Sequence, residues 1–375
     1  NPEALNGTST RAANAGIAGG LSGVAMTSPS AITVNLHHNQ QVRQAERNRD
    51  FYVALGDNAE ASKVRERLPE AHKNYVSELT VKGPVEYPTV VTSYSEYVNK
   101  FGDVLTSGSN VYSYFTSIAA YNYFNNGGTS LVIARVVTGS YTSAVSTAIS
   151  ASSNATAFSL TTISKGILMN NSGALDTYGA LISGSSNNIR WEIVNPNTSS
   201  GTFNLLIRRG DDVTNSKKVL ETFTNLSLDP KSPNYIAKQI GDVVYNYNSA
   251  TNQIDLTGSF KNNSSYVYVD TVNLATPDYL DNNGNPKNQY TASIPVAASG
   301  SFISATGDVK GGANFYNSIT ATNTQGLDSG NYTNMINLLS NADDYQFNAL
   351  FTPGLIDSLH TSAITTIITN TQNRG

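Results

Sequence analysis

An α/β (α+β) core carrying a large β-rich insertion domain is the fold class that this sequence predicts, on three observations. Between Gly83 and Val137 a β-branched run, two helix-like runs and an apolar run follow one another, as in a strand–helix–helix–strand unit. From Gly139 to about Val309, short alternating runs such as Arg190–Val194, Thr202–Ile207 and Tyr266–Val269 lie between turn clusters. After residue 311 helix, strand and helix textures return.

Each element has a local reason. Pro88 opens the β-branched run Thr89–Thr92, which predicts a strand. Ser93 with Glu96 three residues on has the capping-box spacing and predicts a short helix. Val111 to Phe124 predicts a second helix, with Val111, Tyr114, Phe115, Ile118 and Tyr121 on one face. Asn126-Gly127-Gly128 stops it, because glycine enters the left-handed region without a Cβ penalty. Leu131–Val137 then predicts a strand buried on both faces. In the β-rich stretch, Asn195-Pro196-Asn197 and Asp281-Asn282-Asn283-Gly284 predict turns. Leu226-Ser227-Leu228 predicts in–out alternation ahead of a turn at Asp229-Pro230, and Ser232-Pro233 predicts the start of a helix over Asn234–Val244. The last part predicts a helix at Tyr332–Leu339, a strand at Phe347–Thr352 and a helix after Pro353-Gly354. Upstream, residues 1–40 read as loop or extended arm. Gln41–Asp50 and Asn58–Lys73 read as helices whose interleaved charges suit a solvated face or an interchain contact better than a nucleic-acid site.

Composition narrows the function classes. Charged residues make up 13% of the chain, against ~25% in an average soluble domain; Asn, Ser, Thr, Gly and Tyr take their place. Such a surface suits a protein that packs against many copies of itself. The net charge of −4 supplies no field for nucleic acid or anionic membrane. The chain has no cysteine, hence no disulfide or thiolate chemistry, and no apolar run of a length to span a membrane. It begins Asn1-Pro2-Glu3, which reads as a processed or trimmed start.

Catalytic patterns are weak. The histidines are His37, His38, His72 and His360, without a zinc-binding spacing. The carboxylate pairs Asp211-Asp212 and Asp343-Asp344 sit in turn contexts, where aspartate serves local backbone hydrogen bonds. Asp281–Asn285 has a calcium-loop flavour but no glutamate at the twelfth position, so a β-turn is the reading. Pro353-Gly354 begins a helix without the lysine of a phosphate loop. Tyr94, Tyr97, Tyr112, Tyr114, Tyr121 and Tyr123 read as core-edge and interface rings, since no basic groove accompanies them. No catalytic, cofactor-binding or metal-binding residue is assigned.

Five places, in one order, resemble the contractile tail sheath proteins of tailed phages and related injection systems. The first is Gly83-Pro84 with Thr89–Tyr97 and Phe101-Gly102. The second is Phe124-Asn125-Asn126-Gly127-Gly128 leading into the strand that ends in Arg135-Val136. The third, and most specific, is Asn187–Arg190 and Gly201–Ile207 continuing into Glu221-Thr222-Phe223-Thr224-Asn225-Leu226-Ser227-Leu228-Asp229-Pro230 and Ser232–Ile236. The fourth is Asn263–Val267, and the fifth is Tyr332–Leu339 with Asp343–Leu355, which contains Phe347, Pro353 and Gly354.

The resemblance implies a structural virion protein and no enzyme. Its protomers would form hexameric rings stacked helically around a tail tube, and contraction would drive that tube through the host envelope. It implies as partners other copies of itself, the tube protein, and the baseplate and tail terminator proteins, with no cofactor, nucleic acid or membrane span. It places the protein in the phage tail, assembled in the host cytoplasm. It also divides the chain into an N-terminal arm or helical segment (1–79), the first part of the core (80–138), an outward-projecting insertion (139–309) and the second part of the core (310–375). Residues 1–79 lack the family's Pro-Gly-Val arm motif. The family also continues beyond the Pro-Gly-Leu helix, so the chain is expected to be a fragment truncated at its C-terminus. The competing reading from composition is a β-rich surface adhesin or receptor-binding virion protein.

Overall fold

The computed structural model describes residues 73–78, 80–107, 109–308, 319–327, 329–345 and 347–373. The arm and helices expected before residue 73, with His37, His38 and His72, lie outside the described residues. The chain divides into two compact units. One comprises Asn1–Lys73, Asn125–Gly127 and Gln346–Ala349, largely outside the described residues, and the other comprises Asn74–Phe124, Gly128–Tyr345 and Leu350–Gly375.

The larger unit opens with β1 (Lys73–Glu78), β2 (Thr89–Val91), α1 (Tyr94–Phe101), β3 (Val104–Ser107), β4 (Asn110–Ser113), α2 (Phe115–Asn125) and β5 (Leu131–Arg135). β5 is buried at every position, as its unbroken apolar run predicts. β1 runs parallel to it, Asn74 opposite Leu131 and Glu78 opposite Arg135, and β2 runs antiparallel on its other side, Val91 opposite Leu131. Val91, Tyr97, Phe101, Ala120, Leu131 and Ile133 form the core beneath this sheet.

Three sequence expectations are corrected here. The first unit is strand–helix–hairpin–helix–strand, because β3 and β4 pair as a hairpin, Val104 opposite Ser113 and Ser107 opposite Asn110. The second helix therefore starts at Phe115, and Val111 belongs to a strand. Its expected apolar face is split: Val111, Ile118 and Tyr121 are exposed, Phe115 is half-buried and Tyr114 is buried, while α2 buries Thr116, Ser117 and Ala120. Small residues face inward because they let the helix approach the rings of α1. Ser117 Oγ and Tyr94 Oη both donate to Asp103 Oδ1, at 2.9 and 2.6 Å. Lys73, the last residue of the helix expected over Asn58–Lys73, opens β1, and the rest of that helix lies outside the described residues.

The β-rich stretch contains β6 (Ser143–Ser146), β7 (Ile149–Ser150), β8 (Thr156–Lys165), β9 (Ile189–Asn197), β10 (Thr202–Arg209), β11 (Val219–Ser227), α3 (Ile236–Ile240), β12 (Val244–Asn248), β13 (Gln253–Thr257), β14 (Val267–Val272), α4 (Asn288–Thr291), β15 (Ala298–Gly300) and β16 (Phe302–Ile303). One sheet has the order β11-β10-β9-β15, another β14-β8-β6-β16 with β7 beside β8, and β12 and β13 form a hairpin. Both larger sheets feed one core, in which Phe158 stacks on Phe203 at 5.6 Å among Trp191, Leu205, Leu226, Leu228 and Ile236.

Three details of this stretch differ from expectation. β9 continues through Asn195-Pro196-Asn197, and the turn falls after it, where Asn197 Oδ1 accepts from the amides of Ser199 and Ser200. The helix expected over Asn234–Val244 is the single turn of α3, stopped by Gly241 at φ +108°. Ser227 is buried with its leucine neighbours, because its amide donates to Asn234 O. The turn at Asp281 forms as expected, with Asp281 Oδ1 accepting from the amides of Asn283 and Asn285.

After the β-rich stretch come a 3₁₀ turn (Ser329–Tyr332), α5 (Thr333–Leu339), β17 (Phe347–Phe351) and α6 (Asp357–Gln372), close to the expected positions. The Leu350–Phe351 end of β17 belongs to the larger unit and to the sheet of β1, β5 and β2. Phe351 packs against the core of Val91, Tyr97 and Leu131.

Candidate functional site

The motif residues lie in four places and not in one cleft. Gly83, Pro84, Phe101 and Gly102 meet beside the core sheet and are all buried. Gly83 has φ +113°, and a Cβ there would lie 2.5 Å from the Phe101 ring, so glycine serves both backbone and packing. Asn126, Gly127 and Gly128 form the turn after α2. Gly127 takes φ +86° and the Gly128 amide donates to Tyr123 O at 2.9 Å. Leu226 and Leu228 lie in the β-rich core, and Asp229 Oδ1 accepts from the Lys231 amide in the turn past the exposed Pro230. Phe347 opens β17, and Pro353-Gly354 turn the chain towards α6, Gly354 at φ +96°.

The joint between the core and the β-rich stretch carries the least ordinary electrostatics. Arg135, at the end of β5, is fully buried and makes no ion pair with a carboxylate among the described residues. One Nη donates to Gly83 O at 2.7 Å and to Lys165 O at 2.8 Å, and the guanidinium lies 5.1 Å from the Tyr141 ring centroid. Burial lowers its pKa to about 10. The Lys165 amide returns a bond to Gly83 O at 3.1 Å. Nearby, Lys82 is 6% exposed, and among the described residues its Nζ donates to Ser186 O at 3.4 Å. Burial, and then the charge of Arg209, lower its pKa to about 8. The "Arg-Val" strand ending was legible in the sequence, but the carbonyls that receive Arg135 were not.

Asp211 and Asp212 lie at the expected turn, where Asp212 Oδ2 accepts from the Lys218 amide at 3.0 Å, and both also take charged partners. Asp212 is fully buried between two buried arginines. Arg208 reaches it through Nε at 2.7 Å and Nη2 at 2.9 Å, and Arg190 through Nη1 at 3.3 Å. Arg208 also reaches Glu192 at 3.0 Å, which Lys217 contacts at 2.8 Å. Asp211 pairs with Arg209 and Lys218 near the surface. The alternation of β9 and β10, which aims Arg190 and Arg208 inward opposite each other, was the available signal. Asp343 and Asp344 do sit in an exposed turn, with Asp344 accepting from Asn341.

Of the tyrosines, Tyr97 and Tyr114 are fully buried and Tyr112 nearly so, and Tyr94 stacks on Tyr97 while Tyr121 meets Tyr94 edge-on. His360 is buried at a kink in α6. Its Nδ1 accepts from the Ile356 amide, so Nε2 carries the proton and donates to Thr320 O at 2.8 Å. Gln325 similarly caps α2, its Oε1 accepting from the Phe115 amide at 2.8 Å. Among the described residues no group of three or more His, Cys, Asp or Glu is placed to hold a metal ion, and no helix is long and apolar enough to cross a membrane.

No protein-family model matches the chain, and no curated protein does. Among solved structures, it is similar to a sheath tail protein of Listeria innocua, with 9% identity and a TM-score of 0.38 over 80% of this chain and 44% of that one. It is also similar to a sheath tail protein of Desulfitobacterium hafniense, with 11% identity and a TM-score of 0.33 over 80% of this chain and 46% of that one. The chain thus spans less than half the length of either structure. Their description is that of the family the motifs resemble.

Proposed function

We propose that this chain is part of a contractile tail sheath protomer, a structural virion protein that polymerises around a tail tube and contracts to drive it through the host envelope. The observation that carries the reading is the ordered set of five motifs, within the β-rich stretch and on either side of it. Supporting it, the last of them, Phe347–Leu355, contributes Phe351 to the core that the first, Gly83–Phe101, helps build. The motif glycines and prolines are used for turns and close packing, as a mechanical scaffold requires.

On this reading the partners are further copies in stacked hexameric rings, the tube protein, and the baseplate and terminator proteins, and the location is the phage tail. Negative-stain microscopy of the full-length gene product tests it. Helical tubes or six-membered rings are expected. Isolated monomers or trimers that bind glycans would overturn it in favour of a surface adhesin.

A further inference from the structure

His360 stands where α6 breaks. The backbone takes φ −126° and ψ 35° at this residue, so a first turn, residues 357–359, is set at an angle to the longer part that follows. The side chain is 2% exposed, and both ring nitrogens are engaged. Nδ1 receives the Ile356 amide at 2.9 Å, one of the amides that a helix start leaves without an intrahelical acceptor. Nε2 donates at 2.8 Å to Thr320 O, 40 residues back along the chain.

The segment that receives His360 is itself tied down at its other end. Gln325 Oε1 accepts from the Phe115 amide at 2.8 Å, and its Nε2 donates to Ser113 O at 3.3 Å. Thr324 Oγ1 lies 3.1 Å from Tyr332 Oη. Residues 320–325 thus link the first turn of α6 to the start of α2, and His360 closes the link on the α6 side.

That closure tolerates one protonation state. A second proton on the ring would sit on Nδ1 and face the Ile356 N–H, donor against donor, and it would place a charge in the interior. The elements packed on α6 are the 3₁₀ turn Ser329–Tyr332 and α5, and their one titratable side chain is the Tyr332 phenol. Residues 319–327 and 347–356 carry no titratable side chain. On α6 itself the other titratable group is Asp357, exposed in the first turn.

We propose that His360 is an acid-released clip, which pins the first turn of α6 to residues 320–325 at neutral pH and frees it when the ring takes a second proton. The clip is a property of the fold and stands apart from the sheath reading. Hydrogen exchange of the full-length gene product, read by mass spectrometry and corrected for the intrinsic pH dependence of exchange, tests it. Between about pH 7.5 and about pH 5, the range in which histidine takes its second proton, the peptide that starts α6 should lose protection while β5 keeps its own. The loss at the Ile356 amide should be about tenfold, as for one hydrogen bond.

His360→Asn keeps an acceptor for the Ile356 amide but has no proton to gain, so its protection should not change over the same range. Asp357→Asn should respond to acid as the parent does. Equal protection of the parent peptide at both pH values overturns the proposal, as does a loss shared evenly with β5, which reports general acid unfolding. An undiminished acid response in His360→Asn, or its disappearance in Asp357→Asn, also overturns it, because the proton then acts elsewhere. Should His360→Asn fail to fold, the parent and Asp357→Asn decide between them.

Discussion

Asp212 and Lys82 are both buried charges, and their surroundings give them opposite effects on stability. Asp212 compensates two buried guanidiniums, and removing one partner of such a group leaves an unpaired charge in the interior. Asp212→Asn is expected to cost about 3–5 kcal/mol, read from urea unfolding. Asp211→Asn, which breaks half-exposed pairs, should cost no more than about 1 kcal/mol. Equal losses would mean that the buried network is not what holds β9 to β10. Lys82 has no such compensation. Its pKa falls from 10.5 to about 8 on folding, so the folded state prefers the neutral amine. The penalty is complete below pH 8 and is relieved as pH rises from about 8 towards 10.5. At ~1.4 kcal/mol per pKa unit, it is on the order of 3 kcal/mol. Lys82→Met should therefore be more stable than the parent at pH 7, and the gap should shrink to about 1 kcal/mol or less by pH 10. Urea titrations of both proteins at the two pH values check this, and a gap independent of pH would refute it.

At the scale of elements, the start of α1 was legible locally. Ser93 Oγ accepts from the Glu96 amide at 3.1 Å, as the capping-box spacing predicts. The reciprocal half is displaced by one residue, because Glu96 Oε2 accepts from the amide of Thr92 at 2.8 Å and not from that of Ser93. Ser93→Ala should cost about 1 kcal/mol with α1 retained, seen as a lower urea midpoint at unchanged slope. No loss would mean that the Glu96–Thr92 bond caps α1 alone. Periodicity misread the stretch before α2. Val111 continues a helical spacing in sequence, yet Ser107-Gly108-Ser109 marks a hairpin turn, and pairing of β3 with β4 outweighs one extra helical turn. Which face of α2 turns inward was not legible. It depends on the rings of α1, against which the small Thr116, Ser117 and Ala120 are buried.

For the whole molecule, the β-rich stretch has its own hydrophobic core, and its two ends lie side by side. The Thr142 amide donates to Thr306 O at 3.0 Å, and the Thr306 amide to Thr142 Oγ1 at 2.8 Å. A fragment of residues 140–308 is therefore expected to fold alone with one cooperative thermal transition. Replacing the same residues by a short Gly/Ser linker should leave assembly of the full-length product possible. A deletion variant that folds but never forms tubes would show that the insertion is needed for polymerisation. The joint itself, with Arg135 bridging Gly83 O and Lys165 O, was invisible in the sequence because its partners are backbone carbonyls, which every residue carries.

By itself, the sequence determined the fold class, the strands around Arg190–Val194, Thr202–Ile207 and Tyr266–Val269, several of the glycine and proline turns, and the motif order that resembles a sheath core. These depend on neighbours a few residues apart, where propensity and periodicity act. Only the tertiary structure decided that β1 runs parallel beside β5, that the polar face of α2 is the buried one, and that Asp212 is the counter-charge of two arginines. It alone brought Phe351 back to the core begun by Gly83 and Phe101. Each of these depends on residues far apart in sequence, whose packing and desolvation outweigh local preference.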